Sequence, residues 1–235
     1  MEDVQLMRWK MEHGGDDARG RRTAKGPREA EDSTMSDDGL HCGDGPADED
    51  AYRMSERAPT SVEELMRLDA EDESLRRYKE RLLGSAAHGD VGDRSDTRRV
   101  VVEAFKVVFE DGRQEINYHL DTPQGVEYMK STPFVMDEGV RYRFVIRFRV
   151  NQAIVSGLRF RNKVKKTVLS TTDEIVLGSY APRSEAYEFE FPRNDWMDAP
   201  SGMFYRGRYM AQFRFTDDDG QEHLKVFYTF EIKKA

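Results

Sequence analysis

Val140-Arg141-Tyr142-Arg143-Phe144-Val145-Ile146-Arg147-Phe148-Arg149-Val150 is the stretch on which the fold turns. Val140, Tyr142, Phe144, Ile146, Phe148 and Val150 share one parity, and arginine holds four of the five positions between them. Side chains alternate faces along a strand, so this pattern describes a half-buried strand with one apolar and one basic face. Sheets with one wet face are characteristically antiparallel. The basic row reads as a solvated face that discourages edge pairing. The alternation recurs at Phe105, Val107 and Phe109, and at Tyr187, Phe189 and Phe191. It returns at Tyr209, Ala211, Phe213 and Phe215, and again at Val226, Tyr228, Phe230 and Ile232. Asp111-Gly112 and Asp219-Gly220 are hairpin-type turn signals between such runs. No helical pattern of length interrupts residues 99–235. Many short strands separated by turns predict an all-β fold, a single β-sandwich.

Upstream the pattern changes. Residues 85–98 read as a polar linker. Residues 59–84 read as a short helical arm. Ser61-Val62-Glu63-Glu64 has capping-box spacing, and Val62, Leu65, Met66 and Leu68 follow as an apolar stripe. Asp69-Ala70-Glu71-Asp72 places acids where a second helix would begin, and Arg76, Arg77, Lys79 and Arg81 place cations toward its end. Leu75, Tyr78 and Leu82 fall on one face, and Gly84 is a natural stop. Two such short helices are not stable alone in water, so the apolar face of this hairpin requires a partner. Residues 1–58 are rich in Gly, Asp, Glu and Arg and poor in aliphatics, which predicts a disordered acidic extension.

The chain has 235 residues, of which 37% are hydrophobic and 35% charged, with a formal net charge of -8. That balance disfavours nucleic acid as a partner. Cys42 is the single cysteine, so no internal disulfide is possible and a reducing, cytoplasmic setting is expected. No apolar run approaches ~18 residues, Met1–Lys10 does not open a signal peptide, and Ile232–Ala235 holds no prenylation cysteine. Membrane association is therefore expected only indirectly, through a partner. Five scattered His and one Cys give no metal-ligand spacing, and neither a nucleophile elbow nor a P-loop is present. No cofactor, metal or catalytic activity is expected.

Two sets of residues carry a family likeness. One is Leu68-Asp69-Ala70-Glu71-Asp72-Glu73-Ser74-Leu75-Arg76-Arg77-Tyr78-Lys79-Glu80-Arg81-Leu82-Leu83-Gly84. The other is a series of blocks: Glu138-Gly139-Val140-Arg141-Tyr142, Phe148-Arg149-Val150-Asn151, Ile154-Val155-Ser156-Gly157, Gly178-Ser179-Tyr180-Ala181-Pro182-Arg183, Tyr187-Glu188-Phe189 and Phe215-Thr216-Asp217-Asp218-Asp219. Together, colinear over residues 60–234, they resemble the Rho GDP-dissociation inhibitor family. The resemblance implies an immunoglobulin-like β-sandwich behind a flexible regulatory arm. It implies binding of a GDP-bound Rho-family small GTPase, slowed GDP release, and extraction of the GTPase from membranes into the cytosol, as a monomer or a 1:1 heterodimer.

By the same resemblance Leu68, Asp72, Ser74, Leu75, Tyr78 and Leu82 would contact the GTPase switch regions, and Asp218 and Asp219, with Asp217 beside them, would meet its basic residues. Val107, Phe134, Tyr142, Ile154, Leu158, Ala211, Val226 and Tyr228 would line a pocket for the geranylgeranyl group. Each has a plainer alternative: Asp72 as a helix cap, the aspartates as a solvated turn, and the pocket residues as ordinary core. The chain departs from the family where two Trp normally stand at i, i+2 on the last strand. Val226 and Tyr228 occupy those positions, which implies a differently shaped pocket and a hydrogen-bond partner for any buried Tyr228 hydroxyl. Arg193–Ala199, with Trp196, is longer than the family norm and carries no functional reading. The nearest rival is a prenyl-binding cargo carrier blind to the switch regions, against which the Leu68–Gly84 arm speaks. An extracellular adhesion or sugar-binding sandwich is disfavoured by the absence of paired cysteines.

Overall fold

The computed structural model describes residues 61–235, apart from Asp69 and Val168. The expected disordered extension, residues 1–58, lies outside the described residues. Ten strands form two five-stranded sheets, the predicted all-β, immunoglobulin-like sandwich. The first sheet runs β2 (Ile116–His119), β1 (Val100–Phe109), β4 (Arg141–Val150) and β7 (Arg183–Phe191), with the short β8 (Met197–Asp198) also paired to β4. The second runs β3 (Phe134–Asp137), β10 (Glu222–Lys233), β9 (Gly207–Thr216), β5 (Val155–Lys166) and β6 (Leu169–Tyr180). Neighbours are antiparallel except β3, which lies parallel to β10 with Phe134 opposite Phe230. Both Asp-Gly signals fall in turns, with the Gly112 and Gly220 amides donating to the Phe109 and Asp217 carbonyls.

The alternating residues meet between the sheets. Phe105, Val107, Ile146, Phe148, Leu158, Phe160, Phe213, Phe215 and Val226 are fully buried there. The Phe105 ring lies 5.0 Å from that of Phe144 on its own sheet and 5.2 Å from that of Phe213 across the gap. Such rings supply most of the apolar area removed from water, and hence most of the driving force that joins the layers. Tyr228 is buried as well, and its hydroxyl donates to Asn162 Oδ1 at 3.1 Å. That satisfies the partner requirement the sequence sets. Burial pushes the Tyr228 phenol well above its ordinary pKa, against a smaller opposing pull from Asn162.

Two features differ from expectation. β4 is interior to its sheet, so its arginine row guards no edge. The row instead forms cross-strand ion pairs on the outer face: Arg141 with Glu110 at 2.6 Å, Arg143 with Glu190 at 2.8 Å, and Arg147 with Glu103 at 2.9 Å. Trp196 and Met197, from the long Arg193–Ala199 segment, reach the same strand. Arg143 stacks over the Trp196 ring at 4.6 Å, and Met197 pairs with Tyr142. The second difference is a helix at Pro123–Ser131 within the sandwich domain, beside β2 and β10. Thr122 caps it by accepting from the Gly125 amide, and Pro123 sits where no intrahelical donor is needed. Gly125 disguises the helix in sequence because it reads as a breaker. Any Cβ there would lie 1.9 Å from the His119 carbonyl oxygen, so the close approach to the end of β2 demands glycine.

The polar segment before β1 is pinned to the sandwich. Buried Asn151 accepts from the Asp93 amide at 3.1 Å and donates to the Arg98 carbonyl at 3.0 Å. Asp90 accepts from the Ser184 hydroxyl at 2.6 Å, and that bond is the main reason its carboxyl sits below the ordinary range. Tyr228→Phe should cost about 1–3 kcal/mol by leaving buried Asn162 without its donor. Urea denaturation checks this, and unchanged stability would show that the pair is not coupled in the core.

Candidate functional site: a helical arm and the gap between the sheets

The arm forms two helices, α1 (Val62–Arg67) and α2 (Glu73–Leu83), followed by a 3₁₀ turn over Gly84–His88. Ser61 caps α1, its hydroxyl accepting from the Glu64 amide at 3.2 Å. Asp72 caps α2, with Oδ1 accepting from Ser74 N at 2.8 Å and Leu75 N at 3.1 Å. The Lys79 ammonium reaches back to α1 and donates to the carbonyls of Leu65, at 2.9 Å, and Leu68. Those carbonyls belong to the last turn of α1, which has no intrahelical donors for them. Lys79 thereby ties the two helices together. Val62, Leu83 and Ala86 pack with Met66, Ala87, Ile154 and Ala181, which seats the arm at the start of β5. Ser61 also bridges to Ala153.

With one side of the hairpin used for docking, the other faces water. Leu68, Leu75, Tyr78 and Leu82 remain 53%, 42%, 59% and 61% exposed. Three large apolar side chains on α2, with Leu68 just past the end of α1, form a patch of the kind that marks an interaction surface. The face that sequence periodicity says needs a partner has none within the described part of the chain. Ser74 is exposed beside it, with its amide committed to the Asp72 cap.

Asp218 and Asp219 belong to the β9–β10 turn at the arm's end of the sandwich, and they are not a free solvated turn. Asp218 Oδ1 accepts from Arg159 at 2.8 Å, and its backbone amide donates to the Ser156 carbonyl. Asp219 pairs with Arg99 at 3.1 Å. Gly157 makes room for this turn: it has φ +56°, and a Cβ would sit 2.0 Å from the Asp218 carboxylate. The central residue is Asp217, which sequence reading groups with its two neighbours as a turn residue or a GTPase contact. It is buried, accepts from the Gln221 amide at 2.9 Å, contacts His223 Nε2 at 2.9 Å and pairs with Arg99. Burial alone would raise its pKa. The His223 and Gln221 hydrogen bonds and the Arg99 charge outweigh that and hold the carboxyl below its ordinary value.

Of the expected pocket residues, Val107, Phe134, Leu158, Ala211, Val226 and Tyr228 are buried in one continuous inter-sheet core, with Tyr142 partly buried against it. Burial, then the Asp173 carboxylate, drives the Tyr142 phenol pKa upward. Ile154 is elsewhere. It precedes the first residue of β5, where the chain has just turned through Gln152 at φ +68°, and it packs in the arm's cluster instead. It is therefore set apart from the other expected pocket residues, which share the inter-sheet core. Residues that sequence reading leaves out join the site: Phe230 stacks on Phe134 at 5.3 Å and Tyr209 on Phe230 at 4.8 Å. Their inner-face parity is the signal that could have found them.

The facing edges β2 and β3 border an open cleft of about 400 Å³, lined by Ile116, Tyr118, Tyr128, Pro133, Phe134 and Val135 among others. Phe134 is common to the cleft and the core, with its ring 6.1 Å from that of Tyr228. Tyr118 donates to the Thr132 carbonyl at 2.9 Å, and burial pushes its phenol up to about 12. Among the described residues there is no His, Cys, Asp and Glu grouping able to hold a metal ion, and no helix long and apolar enough to cross a membrane.

A sandwich with an outward apolar arm is built like a binding protein. Residues 43–235 match the model of the family described as RHO protein GDP dissociation inhibitor. A putative rho GDP-dissociation inhibitor 1 of Dictyostelium discoideum is 44% identical over 174 residues, covering 74% of this chain and 86% of that one. Rho GDP-dissociation inhibitor 1 of Homo sapiens is 39% identical over 190 residues, covering 80% and 89% respectively. Rho GDP-dissociation inhibitor 1 of Arabidopsis thaliana is 37% identical over 175 residues, covering 74% and 70%. The chain belongs to the Rho GDP-dissociation inhibitor family, and as a member it is a regulatory inhibitor rather than an enzyme.

Asp217→Asn should destabilise the fold by about 1–3 kcal/mol at neutral pH, because partly buried Arg99 loses its closest counter-charge and keeps only Asp219. A carboxyl with a depressed folded pKa contributes stability above its unfolded value, about 3.9, and that stability is lost as pH falls through the folded value. The gap between wild type and variant should therefore narrow below about pH 4 in a series of urea titrations. A gap independent of pH would contradict the assignment.

Proposed function

We propose that this chain binds the GDP-bound form of a Rho-family small GTPase as a 1:1 complex, slows release of its nucleotide, and holds its geranylgeranyl group between the two sheets in the cytosol. The observation that carries the reading is the exposed Leu68, Leu75, Tyr78 and Leu82 face on a capped, docked hairpin. Seating it on the mobile switch segments of a GTPase would bury that face and favour one switch conformation. Binding and nucleotide retention are then coupled, and the coupling is reciprocal. Asp72 keeps the start of α2 ordered, so its part is to present Leu75 and Tyr78 rather than to act alone.

The lipid half of the reading rests on the cleft and the aromatic row behind it. The cleft is open and carries Gln114, Glu115, Asn117 and Thr132 at its rim, so it serves as an entrance, with the apolar volume supplied by the inter-sheet residues behind Phe134. An isoprenoid gains about 0.8 kcal/mol per buried methylene, so roughly 20 carbons are worth on the order of 10 kcal/mol in a bilayer or in a protein. A pocket need only match the bilayer for the arm's contacts to tip the balance toward the complex. Side chains fill the inter-sheet core, so the lipid would enter by parting β2 and β3 at Phe134. Asn162 and Tyr228 place a polar pair at the inner end of that path, which limits how far an apolar tail can run.

Tyr78→Ala combined with Leu82→Ala should weaken inhibition of GDP release from a prenylated Rho GTPase by at least about tenfold. Melting should stay within about 0.5 kcal/mol of wild type, since both side chains lie in water. Fluorescent-nucleotide release assays read the first quantity and denaturation the second. Undiminished inhibition by the folded variant would remove the arm from the mechanism.

A further inference from the structure

The end of the sandwich away from the arm exposes apolar side chains on an anchored backbone. β5 runs 12 residues from Val155, near the arm's seat, to Lys166. β9 runs antiparallel to it, pairing Arg159 with Thr216 and Lys165 with Met210. Lys166, Leu169 and the 201–206 loop therefore share the far end, roughly 40 Å from the arm at the usual rise per residue.

The 201–206 loop is held from several sides. The Glu138 carboxylate accepts from the Gly202 amide at 2.8 Å and from the Arg206 guanidinium at 2.6 Å. Tyr209 donates to the Tyr205 carbonyl at 2.6 Å, and the Lys166 ammonium donates to the carbonyls of Phe204 and Arg206, both at 2.7 Å. Lys166 also lies opposite Leu169, so it ties the loop to the β5–β6 hairpin. A loop fastened this firmly could bury its large side chains, yet Met203 and Phe204 are 73% and 86% exposed, and Leu169 is 66% exposed.

Cations surround these tips. Lys163 and Lys165 lie on the outer face of the second sheet beside exposed Met210. The residues opposite them are Thr172 and Gln212, and Ser170 and Met210, none of them acidic. Arg208 lies on the same face opposite Glu231, while Arg206 is matched by Glu138. In a chain of net charge -8 this is a local basic collar.

We propose that this end is a docking surface for an anionic lipid bilayer. Met203, Phe204 and Leu169 dip into the boundary between headgroups and acyl chains, and Lys163, Lys165 and Arg208 meet the anionic headgroups. The exposed side chains come from two separate segments, the 201–206 loop and the start of β6. A protein partner would need a separate cavity for each, whereas a bilayer deforms around them. The inference deepens the extraction reading, because the Tyr209–Phe230–Phe134 row leads from this end to the cleft. It also replaces a membrane link made only through the partner with one that the chain makes itself.

The test uses the full chain with bare phosphatidylcholine vesicles, with and without phosphatidylserine, free of GTPase and isoprenoid. Co-sedimentation should appear only with phosphatidylserine and fade as salt is added. Met203→Ser with Phe204→Ser, and separately Lys163→Glu with Lys165→Glu, should each weaken it roughly tenfold or more. Met203, Phe204 and Lys163 are exposed and Lys165 is half-buried on the outer face, so melting should be little changed and misfolding would be seen directly. Binding that ignores phosphatidylserine, or that survives the Met203→Ser, Phe204→Ser change, overturns the proposal. Neither outcome bears on the arm, whose failure would be read in GDP release with a GTPase present.

Discussion

Everything in this molecule depends on aromatic contact across the gap between two sheets. Phe105 from one layer lies against Phe213 and Tyr228 from the other, with centroids 5.2 and 6.0 Å away. Phe134, Phe230 and Tyr209 extend the same packing toward the edge. Large rings bury much area at small entropy cost, which makes them efficient glue. They also meet face to face and edge to edge without interlocking as branched aliphatics do, so an aromatic row suits the boundary of a second apolar guest. The same constraint explains the polar exception, since a tyrosine at position 228 is stable there only because Asn162 stands opposite.

Function is divided along the strands. At one end of β5 and β9 the arm is seated on Ile154 and Ala181, and the Asp217–Asp219 turn is locked to Arg99 and Arg159. At the other end lie the 201–206 loop, Leu169 and the basic collar. In the proposed cycle the far end would touch the bilayer, the edge beside β3 would receive the isoprenoid, and the arm would grip the protein it came from. A rigid sandwich suits this, because it fixes the distance between grip and membrane while each contact can form in turn.

Much of this was legible in sequence because strand alternation is a direct image of burial. The parity of Val140–Val150 gives both the inner row of β4 and its arginine face, and the spacing of Leu75, Tyr78 and Leu82 gives the exposed stripe of α2. What alternation cannot show is the third dimension. It misjudged the arginine row, because only the sheet order reveals that β4 is interior. It grouped Ile154 with the inter-sheet residues, because a residue one step before a strand looks like part of it until the turn at Gln152 and the packing on the arm are seen. It passed over Pro123–Ser131, where Gly125 serves a backbone contact invisible in the local pattern. It took Asp217 for a turn residue, since its partners Arg99 and His223 are brought to it only by the fold.

The central claim is that the space between the sheets accepts an isoprenoid while the arm serves a different partner. Methyl-labelled NMR of the full chain titrated with S-geranylgeranyl cysteine methyl ester tests it directly. The account predicts saturable shifts at Val107, Leu158 and Val226, with Leu75 and Leu82 unmoved. Core methyls that stay fixed at saturating ligand, or shifts confined to the arm, would contradict it.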